Sequence, residues 1–265
     1  MQIRKDNYLD YEENSCFKAA MFSTVGGRAN QQDSAGLTVN DGDGLFVVCD
    51  GMGGHKGGKA ASSAAVDRLL ATNVLGIPEE QINTVLLEGL RKADSDVASF
   101  RDEDGSPLNC GTTAAVVVIR NKRLYWISAG DSRIYIYRNG EFVQITNDHI
   151  YAVALRENMR AGQITKEYFD DHSVNADALI SFVGMNGMPL VDRSVHPVGL
   201  RKDDVVLIMT DGLYKNLPDS MIKKYIENFV DPSDFLRALE QKVNKLTSED
   251  KTVRDNMTVV LIRIK

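Results

Sequence analysis

Residues 45–61, with the sequence LFVVCDGMGGHKGGKAA, constrain this chain more than any other stretch. The apolar run 45–49 predicts a buried strand, which ends at Asp50 before a turn rich in glycine. A carboxylate at the mouth of a buried strand is costly unless its charge is compensated, and glycines beside it let the backbone approach a bound ion closely. Asp50 is therefore expected to be an ion ligand or half of a buried ion pair. An ordinary tight turn with a solvated aspartate is the alternative.

Aspartates recur at the ends of other apolar runs. Asp131 and Asp211 each follow such a run, and Asp255 comes shortly before the apolar run 259–264. Oxygen ligands from distant parts of a chain are what a site for hard divalent ions such as Mg²⁺ or Mn²⁺ requires. The pattern therefore predicts a metal site built from carboxylates.

Composition excludes several other classes of function. The chain has 265 residues and a net charge of −6 with no basic block, which argues against binding to nucleic acid. No apolar run approaches the roughly 20 residues of a membrane helix, and the first residues lack the apolar core of a signal peptide. Three widely spaced cysteines argue for a reducing compartment. We therefore expect a cytoplasmic protein that contacts neither nucleic acid nor membrane.

Strand and helix patterns predict an α+β fold. Hairpin signals such as 41–44 and Asn139-Gly140 favour antiparallel sheets. The first 15 residues are polar and predict either a frayed leader or an extra edge strand. Strands are predicted at 15–23, 34–39, 45–49, 112–119, 124–128, 134–138, 141–146, 205–209 and 259–264, and helices at about 58–73, 79–102, 219–229 and 232–246.

A nucleotide-binding loop is the main rival interpretation of the glycine-rich turn. Residues 53–59 match the G-x-x-x-x-G-K spacing and lie between a predicted strand and a predicted helix. However, Ala60 stands where such a loop needs a Ser or Thr to hold Mg²⁺. The many predicted hairpins also disagree with a parallel sheet. The carboxylate site is therefore favoured.

Six sequence elements, taken together, resemble a known family. In order and spacing they are similar to the metal-dependent Ser/Thr protein phosphatases of the type 2C class, especially the bacterial branch. The resemblance covers about residues 15–265 and implies a single domain, 1–265, of two packed, mostly antiparallel β-sheets flanked by helices. The elements are Arg28…Asp33, Asp50-Gly51-Met52-Gly53-Gly54-His55, Gly111-Thr112-Thr113, Gly130-Asp131-Ser132-Arg133, Thr210-Asp211-Gly212 and Asp255-Asn256-Met257-Thr258.

The resemblance implies a site for two Mn²⁺ or Mg²⁺ ions. Asp50 would bridge them, and Asp211 with Asp255 would complete the protein ligands of the first ion. The carbonyl of Gly51 would bind the second ion, with Asp33 bonded to that ion or to its waters. Two such ions about 4 Å apart activate a water and stabilise an in-line displacement at phosphorus, without a phosphoenzyme.

Two further residues have roles implied by the same resemblance. Asp131 together with Asp211 matches the position at which bacterial members can hold a third ion. Arg28 would hold two phosphate oxygens through its planar guanidinium, a geometry that lysine cannot reproduce. Gly111-Thr112-Thr113 is expected to pack and donate hydrogen bonds beneath the site rather than to act in catalysis.

The chain departs from the family pattern at several positions. Met52 stands where many eukaryotic members carry a histidine, the candidate general acid, so a metal-bound water is the alternative proton source. Gln31 replaces the usual Asn, Gln32 is neutral where some members use Glu, and Lys59 stands where Glu is common. His149 is interpreted as solvated or structural because it lacks the neighbours of a zinc ligand.

The resemblance implies hydrolysis of phosphoserine and phosphothreonine in proteins, with Ser/Thr kinases and their substrates as partners. Residues 147–196 match a flap beside the site, and their mixed composition suits contact with a phosphoprotein. A catalytically silent relative that binds phosphoproteins is the alternative from a different class. The intact set of carboxylates argues against it, because a silent member would be expected to have lost ligands.

Overall fold

Two antiparallel sheets form the centre of the molecule. The structure, a computed structural model, describes residues 2–3, 7–250 and 255–265. The first sheet has the order β1 (Gln2–Ile3), β4 (Ser34–Val39), β5 (Gly44–Cys49), β8 (Ala114–Arg120), β9 (Arg123–Ala129) and β12 (Asp192–Arg193), and β13 (Val198–Gly199) also pairs with β9. The second has the order β11 (Glu141–Gln144), β10 (Arg133–Arg138), β14 (Val205–Met209), β15 (Met257–Ile264), β3 (Phe17–Thr24) and β2 (Asn7–Glu13). A two-stranded ribbon pairs β6 (Gly51–Met52) with β7 (Gly111–Thr112).

Helices cover the outer face of each sheet. The first sheet is covered by α1 (Gly54–Leu70) and α2 (Ile82–Ala98), and the second by α5 (Asp211–Tyr214), α6 (Asp219–Asn228) and α7 (Pro232–Asp250). The predicted flap contains α3 (Tyr151–Arg160) and α4 (Lys166–His172). Single turns of 3₁₀-helix occur at Val74–Gly76, Glu79–Gln81 and Ser173–Asn175.

Strand β5 shows how the layers share one apolar run. All six of its residues are buried. Because side chains alternate along a strand, Phe46 and Val48 pack between the two sheets, whereas Leu45 and Val47 pack against α1 and α2. A third cluster joins the second sheet to α5, α6 and α7. The predicted α+β architecture of two sheets flanked by helices is therefore confirmed.

The bounds of both long helices on the first sheet differ from the predictions. Helix α1 begins at Gly54, not at residue 58, although glycine is a poor helix former. A Cβ atom added to Gly58 would lie 2.9 Å from the carbonyl oxygen of Gly51, so this helix needs glycine to approach the β6 strand. Helix α2 is shorter than the predicted 79–102, because 79–81 form a 3₁₀ turn and the helix ends at Ala98.

The N-terminal segment supplies an edge strand. Residues Asn7–Glu13 form β2, which pairs antiparallel with β3, so the edge-strand prediction holds for them. Residues 1 and 4–6 lie outside the described part of the chain. Strand β3 spans Phe17–Thr24 rather than 15–23, and β15 begins two residues before the predicted 259.

The packing between the sheets gives a stability prediction. Phe46 is fully buried and meets Phe17 edge-to-face, with ring centroids 5.6 Å apart. We expect Phe46→Ala to lower the free energy of unfolding by about 3–5 kcal/mol, since it leaves a cavity between two sheets. Val143→Ala, at a position 51% exposed, should change it by less than about 0.5 kcal/mol. Urea denaturation of both variants checks this, and similar losses would contradict the two-sheet core.

Candidate metal and phosphate site

Strand registers bring the predicted ligands to one end of both sheets. In the first sheet Ser34 pairs with Cys49, so Asp33 and Asp50 lie side by side. In the second sheet Met209 pairs with both Arg133 and Val259, which places the neighbouring aspartates at matching ends of three strands. Asp33 precedes β4, Asp50 follows β5, Asp131 lies between β9 and β10, Asp211 begins α5, and Asp255 precedes β15.

The backbone of Asp50 is held by Thr112 and Thr113, which belong to the segment predicted to support the site. The N–H of Asp50 donates to Thr113 Oγ1 (2.9 Å). Its carbonyl oxygen accepts from Thr112 Oγ1 (2.8 Å) and from the N–H of Thr113 (2.8 Å). A Cβ atom added to Gly51 would lie 2.1 Å from the carbonyl oxygen of Gly58, so only glycine fits there. Asp50 and Gly51 are thus fixed by contacts to backbone and to two hydroxyls.

Negative charge is concentrated around Asp50. Burial raises the pKa of Asp50 well above its ordinary value, and the carboxylates of Asp33, Asp211, Asp131 and Asp255 raise it further. Carboxylates that raise one another's pKa values are stabilised by a cation placed between them. The charges therefore suit a cation at this end of the sheets.

Asp33 provides an oxygen with no partner in the described chain. Its side chain is 1% exposed, and Oδ2 accepts a hydrogen bond from Thr210 Oγ1 (3.0 Å). Its Oδ1 is buried and accepts no hydrogen bond from the described residues. Burial raises the pKa of Asp33 to about 7, against the lowering effect of the Thr258 and Thr210 hydroxyls. A buried acceptor of this kind is costly unless a ligand binds it, which fits an ion or one of its waters.

Arg28 lies at the rim of the site and contacts one of the predicted ligands. Its Nη2 is 2.6 Å from Asp255 Oδ2, in an ion pair whose side chains are 55% and 39% exposed. The pair borders a cleft of about 320 Å³. The side-chain amide of Asn256 fixes this rim, because it accepts from the N–H of Gln32 and donates to the carbonyls of Val25 and Asn30. The Arg28 guanidinium is thus the cationic group among the described residues that line this cleft.

Two residues that bind the predicted ligands, Tyr214 and Lys215, were not predicted from the sequence. Lys215 Nζ lies 2.8 Å from Asp211 Oδ2, one helical turn away. Tyr214 donates its hydroxyl to Asp131 Oδ2 (3.0 Å). The i, i+4 spacing of Asp211 and Lys215 was a signal for the first contact. The second contact had no local signal, because residues 131 and 214 are far apart in the chain.

Arg133 supports the flap instead of pairing with Asp131. Its Nε and Nη2 bind both carboxylate oxygens of Asp148, at 3.0 and 2.6 Å, and its guanidinium stacks 3.6 Å from the Tyr214 ring centroid. His149 is structural, since it is 3% exposed and its Nδ1 accepts from the N–H of Gly130 (3.2 Å). These contacts tie the first residues of the predicted flap to the site.

Two departures from the family pattern have structural partners. Lys59 Nζ donates to the carbonyl of Asp33 (2.7 Å) and to Ser34 Oγ (3.2 Å). Gln32 Nε2 donates to the carbonyl of Gly54 (2.8 Å). Lys59 therefore acts on the backbone that carries Asp33, and Gln32 joins the rim to the start of α1.

The residues present fit hard divalent ions that keep several water ligands. The donors are oxygens, and one of them, Asp33 Oδ1, has no partner in the described chain. Across residues 2–3, 7–250 and 255–265, no group of three or more Asp, Glu, His or Cys side chains is arranged so that it could hold a metal ion. Two of the predicted ligands are paired with cations in this structure, Asp255 with Arg28 and Asp211 with Lys215.

Within the same described ranges, no helix is long and apolar enough to span a bilayer.

Comparisons with known proteins agree with this geometry. The family model described as Protein phosphatase 2C matches residues 9–160. The serine/threonine phosphatase stp of Listeria monocytogenes is 29% identical over 251 residues, covering 92% of this chain and 94% of that protein. Stp1 from Staphylococcus aureus superposes with a TM-score of 0.77 at 25% identity, covering 96% of this chain and 97% of that one. The catalytic domain of PstP, solved with 2 manganese ions, has a similar fold, with a TM-score of 0.72 at 24% identity and coverage of 97% and 99%.

The raised pKa of Asp33 predicts how the metal-free protein responds to pH. Between the ordinary value of 3.8 and about 7, the folded chain keeps a proton that the unfolded chain releases. The free energy of unfolding contributed by Asp33 is therefore fully present below pH 3.8 and falls as pH rises toward 7, by at most about 1.4 kcal/mol per pH unit. We expect Asp33→Asn to make the slope measured by urea denaturation with EDTA smaller, while Asp50, whose pKa is also raised, keeps part of it. Equal slopes in wild type and variant would contradict the assignment.

Proposed function

Since the chain belongs to the protein phosphatase 2C family, we propose that it hydrolyses phosphoserine and phosphothreonine in proteins in a metal-dependent reaction. The observation that carries the proposal is the group of aspartates at one end of both sheets, with Arg28 at the rim of the adjoining cleft. The bacterial phosphatases of similar sequence support it. Phosphoproteins are then the substrates, and we extend the proposal to Ser/Thr kinases as partners and to a cytoplasmic location.

We propose that the site holds two Mn²⁺ or Mg²⁺ ions. Asp50 would lie between them, Asp211 and Asp255 would complete the first set of protein ligands, and the Gly51 carbonyl with Asp33 would serve the second. The metal dependence of the family and the manganese ions in PstP support this choice. When bound, such ions activate a water nucleophile and offset the charge that develops on the phosphate.

The remaining chemistry falls to side chains of this chain. Arg28 is placed to bind two phosphate oxygens and to hold the phosphorus in line for attack. Met52 has no proton to donate to the leaving alkoxide. His149 is buried, and because Gly130 donates to its Nδ1, its proton lies on Nε2, 3.6 Å from Asp192 Oδ1. We therefore propose that a water molecule in the cleft donates the proton to the leaving alkoxide.

Two observations argue against the alternative that the glycine-rich turn binds a nucleotide. Lys59, the lysine of the G-x-x-x-x-G-K match, donates to the carbonyl of Asp33 and to Ser34 Oγ. The strand before it, β5, pairs antiparallel with both of its neighbours. A phosphate-binding loop of that type needs a lysine directed at phosphate and a parallel sheet.

We also propose that residues 147–196 form a flap over the substrate within a single domain, 1–265. Of the eight exposed large apolar side chains in the described chain, five lie in this segment. An exposed apolar surface beside an active site suits contact with a protein substrate. The five are Tyr168, Val174, Met185, Leu190 and Val195.

Activity measurements test the proposed function. We expect hydrolysis of a phosphothreonine peptide with Mn²⁺ or Mg²⁺, and none in EDTA. Asp211→Asn should lower kcat by about 100-fold or more, since it removes a charged ligand. Asp234→Asn, a change at an exposed position of α7, is the matched control and should behave like wild type. Folded wild type that shows no turnover with either metal would favour a silent phosphoprotein-binding relative.

The contacts that Asp131 and Asp211 make argue against binding of a third metal ion there. Lys215 Nζ binds Asp211 Oδ2, and the Tyr214 hydroxyl binds Asp131 Oδ2. Burial lowers the pKa of Lys215, but the carboxylates of Asp211, Asp131 and Asp177 raise it above its ordinary value, so the ammonium is retained. We propose that this fixed cation stands where the family resemblance implies a third ion, and that two ions complete the site.

Calorimetric titration with Mn²⁺ tests the count of ions. Wild type should bind two ions per chain. Lys215→Asn should expose a third, weaker site, because Asp211 loses its ammonium partner. Lys223→Asn is the matched control, since Lys223 pairs at 4.0 Å with Glu227 on the exposed side of α6. Three ions on wild type, or two on Lys215→Asn, would contradict the replacement.

A further inference from the structure

Asp94 is a buried carboxylate outside the candidate site. It lies on α2, is 5% exposed, and shares its helix face with the core residues Leu90 and Val97. Three backbone N–H groups bind it: Gly184 at 2.7 Å and Asn186 at 3.2 Å to Oδ1, and Gly187 at 2.6 Å to Oδ2. No Lys, Arg or His side chain of the described ranges forms an ion pair with it. Backbone donors therefore compensate its charge, as in an anion-binding nest.

The loop that surrounds Asp94 is shaped to present those donors. Gly184, Asn186 and Gly187 all have positive φ angles, of 113°, 57° and 133°. A Cβ atom added to Gly184 would lie 2.8 Å from both the Cys110 carbonyl oxygen and Val97 Cγ1, so this position also requires close approach. The left-handed residues turn the N–H groups toward one point, which the Asp94 carboxylate occupies.

A second contact closes the base of the same loop. Ser181 Oγ donates to the carbonyl of Leu190 (2.6 Å) and accepts from the N–H of Leu190 (3.1 Å). The segment 181–190 is therefore a closed loop with a carboxylate at its centre. Its conformation depends on α2, the helix that packs on the first sheet.

The loop continues directly into the backbone that holds Asp50. Val183, next to Gly184, exchanges two backbone hydrogen bonds with Thr112, at 2.9 and 2.8 Å. Thr112 in turn donates its hydroxyl to the Asp50 carbonyl (2.8 Å) and pairs with Gly51 in the β6–β7 ribbon. A continuous series of hydrogen bonds, joined by the peptide bond between Val183 and Gly184, thus runs from Asp94 through the loop and β7 to the two residues at the centre of the site.

We propose that Asp94 is a positioning residue for the phosphatase reaction. Its carboxylate holds loop 184–187 in the conformation that keeps β7, and through Thr112 the backbone of Asp50 and Gly51, in place to bind metal. This rests on the proposed function. An amide of the same shape would not suffice, because one of its ends is an NH₂ donor that would face the N–H of Gly184 or Gly187.

Asp94→Asn tests the proposal, with Asp96→Asn as matched control on the same helix. Asp96 is 39% exposed, and its ion pair with Arg68 (2.6 Å) lies at the surface. The readouts are Mn²⁺ affinity by calorimetry, and kcat and KM for a small aryl phosphate, below the unfolding temperature of each protein. We expect Asp94→Asn to weaken Mn²⁺ binding about tenfold and to lower kcat, with KM at saturating Mn²⁺ unchanged. Asp96→Asn should match wild type.

The alternative outcomes separate positioning from simple stabilisation. If Asp94→Asn has a lower Tm but wild-type Mn²⁺ affinity and kcat, Asp94 only stabilises the folded loop, and the proposal is overturned. If Asp94→Asn does not fold, Ser181→Ala loosens the base of the loop with Asp94 intact and should weaken Mn²⁺ binding in the same direction; unchanged affinity would overturn the proposal. Wild type without metal-dependent hydrolysis would overturn the proposed function instead, and the calorimetric comparison would still decide the role of Asp94.

Discussion

The interaction on which the site depends is the mutual repulsion of carboxylates held at the end of two packed sheets. Asp50 follows a strand buried on both faces, so its backbone cannot move away without disturbing both apolar layers. Thr112 and Thr113 hold the same backbone from the other side. The fold therefore keeps carboxylates close together that would otherwise move apart. A cation bound between them relieves their repulsion.

Polar contacts around this charge divide into two groups. The hydroxyls of Thr112 and Thr113 and the ammonium of Lys59 act on the backbone that carries the aspartates. Two other cationic side chains act on the carboxylates themselves, Arg28 at Asp255 and Lys215 at Asp211. The first group sets the positions of the ligands, and the second sets how much of their charge remains for an ion.

The fold could be predicted from local patterns because its strands carry strong local signals. Run 205–209 was placed to the residue, since β14 is buried on both faces and reads as continuously apolar. Helix α1 was placed too late, because three of its first five residues are glycines, which are poor helix formers and hide its start from the sequence pattern. Four aspartates of the candidate site, Asp50, Asp131, Asp211 and Asp255, were predicted from their places at strand ends, and Asp33 from the family resemblance. Tyr214 and Asp94 were not found, because their partners are distant in the chain and Asp94 binds backbone N–H groups that any residue except proline supplies.

The contact between Gly51 and Gly58 limits how a protein of this kind can change. A side chain at either position would meet the main-chain carbonyl group of the other residue, and at Gly58 it would also meet the side-chain oxygen of Gln32. A clash between two side chains can be relieved by a smaller partner, but a clash with a main-chain carbonyl cannot, because every residue has one. Neither glycine can therefore be exchanged and then compensated at the other. Substitution at either glycine would therefore disturb the approach of α1 to the site. Sequences that keep this geometry must keep both residues.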